Sequence, residues 1–489
     1  MKTLVRLLGC MGWVIISNSL ILAQTDQMHA NKNHGGNWLS TLEYLEEGHY
    51  HHAVHSALQY LAIEPKRYQL VQHHFEEIAR TDAGDPNILV FADSSEKDVR
   101  APVPERIDAI VTALRSVIVD NSNHDPLQAA MLLAAIAIQT REPKAGLDAL
   151  VSVADKVDVS AALYQFASRT EESGFDEVSA QSYQHYAISP QGDPEYQPRS
   201  LLKQAELYER QGHHTLALAA YRQLVERFPN RLESSEAIYR QGRLLLHSFR
   251  DVVAARKLLQ TLTDEGRNYV SDPINLLLAE CDIMSNSLDA ATERYRGLLA
   301  HSQTNWAARY GLGHLFYMRA EFDSAIAHFD TLISMQPGHV LTNDALDLVM
   351  LIESQRKLGH EHDLAKFAAS ILLQTQGRIH QAEQARQALL ASPGDIKIRV
   401  LLDQAAVFSA RAHTDSAIAT YMKIIENMSD HREVFTAHVL RAQLLEKGNQ
   451  LLEALKAYET TLLRFPDDAK SAKVRLKIQQ LRRTFDATG

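Results

Sequence analysis

The sequence predicts an all-α protein, a solenoid of stacked antiparallel helix pairs. Three observations carry this. Residues 306–337 read as two short amphipathic helices joined by a tight turn. Gly313 and Ala325 are small where two backbones must come close, while Trp306, Phe316, Phe322, Phe329 and Leu332 are large. Pro337 stops the second helix because it cannot continue it. The pattern also recurs, since Ala291 lies 34 positions before Ala325. Finally, 489 residues that are 45% hydrophobic, with 21 Gly and 14 Pro, are too many for one compact core. A stack of repeats is the alternative to several domains.

The chain divides in order as follows. Residues 1–23 read as an export signal, with Lys2 and Arg6 as a positive start, Leu7 to Ile16 as the apolar core and a cleavage site after Ala23. Two other readings compete: an uncleaved membrane anchor, and a lipid-modified Cys10 in Leu7-Leu8-Gly9-Cys10. Residues 24–36 are a polar leader. Residues 37–80 hold a first helix pair, with Gly48 as the turn, Ala53 at the close contact, Ala57 and Tyr60 inside and Pro65 as the stop, followed by one further helix. Residues 81–104 break the rhythm with Pro86, Pro102 and Pro104, and are expected to be an irregular connection. Residues 105–197 are expected to form divergent helix pairs. Their segment MLLAAIAI is apolar nearly all round and so buried between neighbours.

Residues 198–466 carry the pattern in full. Ala205, Tyr208, Gly212, Ala217, Tyr221 and Pro229 mark the first unit; Gly242, Leu245, Ala254 and Leu258 the second; Ala279, Ala291, Tyr295 and Leu298 the third. Later units carry Ala405, Phe408, Ala417 and Tyr421, then Ala442, Leu445, Ala454, Tyr458 and Pro466. Residues 467–489 begin acidic and turn basic, as suits a capping helix and its dipole.

These positions and their period resemble the tetratricopeptide repeat, about 34 residues long. The resemblance implies a right-handed superhelix acting as a scaffold for a protein or peptide partner. The endings RFPN at 227–230 and RFPDD at 464–468 also resemble exported bacterial relatives, such as Tol-Pal-associated periplasmic proteins and outer-membrane assembly lipoproteins. That second resemblance implies a periplasmic or cell-envelope location and a partner in an envelope complex.

Formal net charge is -10, with no sustained basic block, which argues against binding nucleic-acid phosphates. No P-loop, Rossmann glycine fingerprint, G-x-S-x-G elbow, H-E-x-x-H or CxxC pair occurs, so neither an enzyme nor a cofactor is expected. The 23 histidines are the unusual count. His49, His51, His52 and His55 cluster, and His51 and His55 share a helix face as a weak candidate metal site. An enzyme or metal carrier built on that cluster is one alternative function, and an assembly subunit of an envelope export system is another. Cys281 reads as a small buried hydrophobe rather than a nucleophile.

Stacked helix pairs curve, and first-helix residues not used in packing line the concave side. That placement selects Arg199, Glu206 and Arg210; Tyr239, Arg243 and His247; Glu280; and Tyr310, His314 and Tyr317 as a partner-binding groove. Tyr310, His314 and Tyr317 follow i, i+4, i+7 and are expected to face out along one stripe.

Overall fold

A computed structural model describes residues 38–82, 103–119, 124–264, 271–299, 305–392, 394–427, 433–468 and 470–488. The export signal, the leader and most of the irregular connection lie outside the described residues. Among those that are described there is no strand; 24 α-helices and one short 3-10 turn make up the architecture. The protein is an all-α helical solenoid of antiparallel pairs. Within each compact unit most successive helices pack on one another, so most tertiary contact there joins near neighbours in sequence.

The helices gather into two compact units, whose boundary falls between Leu244 and Leu245, inside the helix Leu232–His247. The sequence pattern alone groups 198–466 as one array. The first unit begins with the pair Trp38–Glu46 and Tyr50–Ile63 and the helix Tyr68–Asp82. It continues through Val103–Val119, Pro126–Gln139, Pro143–Ser152, Ser160–Glu172 and Asp176–Ile188 to the pair Tyr196–Arg210 and His214–Arg227. Its core centres on Pro126–Gln139, in which every residue from Leu132 to Ile138 is buried. A helix that is apolar nearly all round can only be stable when neighbours cover it on several sides. Glu76, itself buried, is gripped by Arg169 from 93 residues away and so ties Tyr68–Asp82 to Ser160–Glu172.

The second unit runs from Val252–Asp264 through the pairs Ser271–Met284 with Leu288–Leu298 and Asn305–Met318 with Phe322–Met335. The longer pair Val340–Lys357 and Glu361–Thr375 follows, then Ile379–Leu389, Asp395–Ala410 with Thr414–Asn427, Val434–Lys447 with Leu451–Arg464, and the last helix Ser471–Thr488. Val474, Ile478 and Leu481 of that last helix cover the apolar face of the pair before it, as a cap should.

Close approach falls where small residues stand. Ala325 and Ala291 are fully buried, and a Cβ added at Gly313 would lie 2.7 Å from Cε1 of Phe329. Turns between paired helices share one geometry. A left-handed residue follows the first helix, and the next N–H reaches back five residues, as from His213 to the Tyr208 carbonyl and from Glu321 to that of Phe316. Glycine supplies that conformation at Gly48 and Gly212, but Ala320, Asn286 and Arg250 also adopt it.

One unit departs from the predicted frame. Ala255 and Leu259 are fully buried, not Ala254 and Leu258, which are half-exposed. The turn 248–251 is one residue longer than 211–213 or 319–321, and Asp251 N–H reaches back six residues, to Leu245. That extra residue rotates the whole second helix by about 100° in sequence register.

Candidate functional site

The predicted groove residues divide between the two units. In the first, Arg199 and Arg210 are exposed, and Glu206, Tyr239 and Arg243 are half-buried. The Arg199 guanidinium lies 5.6 Å over the ring of Tyr196.

The charges of this stripe are engaged with one another at the period of the repeat. Arg210 bonds Asp176 through Nε at 2.8 Å, from 34 residues away. Arg240 reaches Glu206 at 3.0 Å and Arg243 reaches Glu209, each pair again 34 residues apart. Glu209 also accepts from the hydroxyl of Tyr221 at 2.9 Å, in the second helix of its own pair. Glu171 repeats this with Tyr183 at 3.2 Å and Lys203 at 3.4 Å. In the second unit Glu446 repeats it with Tyr458 at 3.1 Å and Lys477 at 2.6 Å. Each such carboxylate therefore accepts a tyrosine from its own pair and a base from the next pair. Sequence reading missed this, although the glutamate-to-tyrosine spacing of 12 residues is present in all three places.

In the second unit, His247 and Glu280 face each other at 3.4 Å, and burial pushes the Glu280 carboxyl up to about 7. Tyr310 and His314 are half-buried and stack with ring centroids 5.9 Å apart and planes 8° from parallel. Burial pushes the Tyr310 hydroxyl up to about 12 and lowers His314 from its ordinary value.

Tyr317 corrects the sequence reading. It is 0% exposed and belongs to the core with Phe322, Phe329 and Leu364. At about 100° per residue, Tyr317 lies roughly 20° from Tyr310 towards the packed side of Gly313, while His314 lies roughly 40° away from that side. The later chain completes the burial. Glu361–Thr375 packs against Asn305–Met318, and Arg399 and Asp403 of Asp395–Ala410 act on the Tyr317 hydroxyl. Beyond it, Gln376 donates to Asn286, 90 residues earlier, at 2.8 Å.

The histidine cluster does not converge. His49, His51 and His52 are exposed, and His52 packs on Tyr44. His55 turns the other way and shares a 2.8 Å hydrogen bond with His124. Among the described residues no group of three or more His, Cys, Asp or Glu is placed to hold a metal ion. The thiol of Cys281 is fully buried and pushed up to about 11 by that burial, far from the thiolate a nucleophile needs.

One concave feature lay outside the predicted sites. A cleft of about 810 Å³ in the first unit is lined by Ile118, Leu133 and Val178 together with charged groups that include Arg115, Lys144 and Asp148.

Sequence profiles described as tetratricopeptide repeat match residues 199–231 and 285–340. The chain therefore carries tetratricopeptide repeats in these two segments. The first matched segment covers most of the pair Tyr196–Arg210 and His214–Arg227, and the second covers Leu288–Leu298 together with the pair Asn305–Met318 and Phe322–Met335. No curated protein matches the chain. Among solved structures it is similar to PilW, a widely conserved type IV pilus biogenesis factor, at 14% identity and a TM-score of 0.32, over 48% of this chain and 94% of that one. It is similar to YrrB, a TPR protein with an unusual peptide-binding site, at 15% identity and 0.32, over 41% and 99%. A tetratricopeptide repeat protein from Parabacteroides merdae overlaps at 13% identity and 0.23, over 67% and 100%. Overlaps this loose carry no residue from those proteins onto this tetratricopeptide chain.

Proposed function

We propose that this tetratricopeptide-repeat protein is a non-catalytic scaffold that binds a peptide or protein partner, and that the first unit carries the binding face. One observation carries the reading: Arg199, Glu206, Arg210, Tyr239 and Arg243, on first helices of successive pairs, all keep solvent-accessible surface. Their mixture of arginine and tyrosine is the composition enriched where proteins meet partners. Ion pairs spaced one repeat apart hold that face in register, so little ordering is left for binding to impose. In the second unit His247, Glu280, Tyr310 and His314 are the residues of the predicted groove that remain for a partner; Tyr317 is withdrawn.

The scaffold reading extends to an exported, periplasmic or cell-envelope protein serving an envelope complex. It is supported by Lys2, Arg6, the apolar run to Ile16 and Ala23, all outside the described residues. Among the described residues no helix is long and apolar enough to cross a membrane.

Mild crosslinking of the full chain in its native host, followed by mass spectrometry, tests this. Partner crosslinks should map to the first unit, and Arg199→Glu with Tyr239→Ala should abolish them while Tyr317→Phe leaves them intact. Crosslinks that persist in the double variant would overturn the assignment of the face.

A further inference from the structure

The second unit contains a small polar cavity outside the predicted groove. It holds about 270 Å³ and is lined by Arg250, Ile371, Gln374, Thr375, Arg386 and Asp403. That is the volume of about nine liquid waters, room for a small metabolite but not for a folded segment.

Its groups are arranged with one sign of charge against the other. Arg386 is buried, donates through Nε to Ser370 at 3.0 Å, and lies 3.3 Å from one oxygen of Asp403. Those two contacts leave further guanidinium N–H groups unspent. Arg250 stands at the exposed rim, held there by its left-handed turn, and makes no ion pair with a described residue. On the acceptor side, Oε1 of Gln374 is buried with no hydrogen-bond partner among the described residues. Thr375 spends its hydroxyl proton on the Ile371 carbonyl at 3.0 Å, so towards the cavity it can only accept. Burial lowers Arg386 and raises Asp403 from their ordinary values, the mark of two charges not fully compensated by each other. An unpartnered buried acceptor is destabilising, and a bound donor would relieve it.

We infer that this cavity binds a free α-amino acid with an uncharged side chain. The α-carboxylate would meet Arg250 and the spare N–H groups of Arg386. The α-ammonium would donate to Gln374 Oε1 and Asp403, and a small apolar side chain would lie on Ile371. A simple carboxylate leaves the acceptors unmet, and an inorganic anion leaves both the acceptors and Ile371 unmet. A peptide end presents only one of the two charges.

Isothermal titration of the full chain with L-leucine tests the site, with N-acetyl-L-leucine, L-leucinamide and inorganic phosphate as comparisons. L-leucine should bind, and each comparison should bind at least about tenfold more weakly, as expected for losing one charge-assisted hydrogen bond. Arg250→Asn keeps a residue that accepts the left-handed turn and should weaken L-leucine about tenfold without moving the thermal unfolding. Gln374→Leu should do the same. Absence of heat with L-leucine at millimolar concentration, equal binding of the acetylated or amidated forms, or undiminished binding by Arg250→Asn would each overturn the proposal. Partner crosslinks in the first unit should be unaffected by either variant, so the two readings fail separately.

Discussion

Arg243 stands one repeat, 34 residues, after Glu209 and bonds its carboxylate, while Tyr221 donates its hydroxyl to the same carboxylate from the second helix of the pair. Tyr221 is fully buried and Glu209 largely so, which keeps the bond out of water. The three groups lie on three successive helices, so they fix the rotation of one pair against the next. Tyr221→Phe should cost about 0.5–1.5 kcal/mol in urea unfolding. Arg243 is more than a third exposed, so Arg243→Met should cost less than about 1 kcal/mol. The double variant should show a coupling of at least about 0.5 kcal/mol, and strict additivity would mean that the three groups do not act as a unit.

The contact between Gly313 and Phe329 leaves no room for a methyl group. A Cβ at Gly313 would sit 2.7 and 2.9 Å from two ring carbons of Phe329, which is itself fully buried. Gly313→Ala, and likewise Ala325→Leu across the same pair, should destabilise by about 1–3 kcal/mol through overpacking. Hydrogen exchange should accelerate first in Asn305–Met318 and Phe322–Met335; unchanged protection there would refute the packing described.

Ala320 and Ala412 sit at φ of 60° and 59° in turns where Gly212 stands at 76°. An L-residue pays about 1–2 kcal/mol for that conformation, and glycine returns roughly half of the gain as lost chain entropy. Ala320→Gly and Ala412→Gly should therefore each stabilise by about 0.5–1 kcal/mol, and Gly212→Ala should destabilise. Thermal unfolding of the three variants checks the opposed signs.

His438 is buried against Phe465, its Nε2 has no partner among the described residues, and burial with Arg464 and Arg441 lowers its pKa to about 4. In the unfolded chain it titrates near the ordinary value of about 6.5. Between those values the unfolded state binds the proton and the folded state does not, so stability is intact above about 6.5 and falls as pH drops towards 4. His314, His328 and His74 are lowered by burial too and push in the same direction. His438→Phe should flatten the acid limb of a stability-against-pH curve between pH 6.5 and 4, and an unchanged limb would place the titration elsewhere.

The helix pairs were legible because their signals are local and periodic. Ala53, Ala205, Ala217, Ala291, Ala405, Ala417, Ala442 and Ala454 are all fully buried, as a small residue at a backbone contact must be. Ser179 and Tyr183, the looser match in the divergent section, are buried as well. The slip in register at Ala254 and Leu258 came from a turn one residue longer than its fellows, and turn length leaves little mark on an apolar pattern.

By itself the sequence determined the all-α class, the succession of paired helices and the residues at which they touch, because a period of 3.6 and a small residue at each crossing suffice for that. Only the tertiary structure decided which first-helix residues stay accessible. An offset within the repeat treats every pair alike, and so it placed Tyr317 beside Tyr310 on an open stripe. The chain 44 to 86 residues further on, from Glu361 to Asp403, returns to close that stripe around Tyr317 and leaves a polar cavity beside Arg386. In the first unit the same offset selected charges that pair across one period. Both outcomes depend on contacts distant along the chain, whose energies are settled by what the other elements bury.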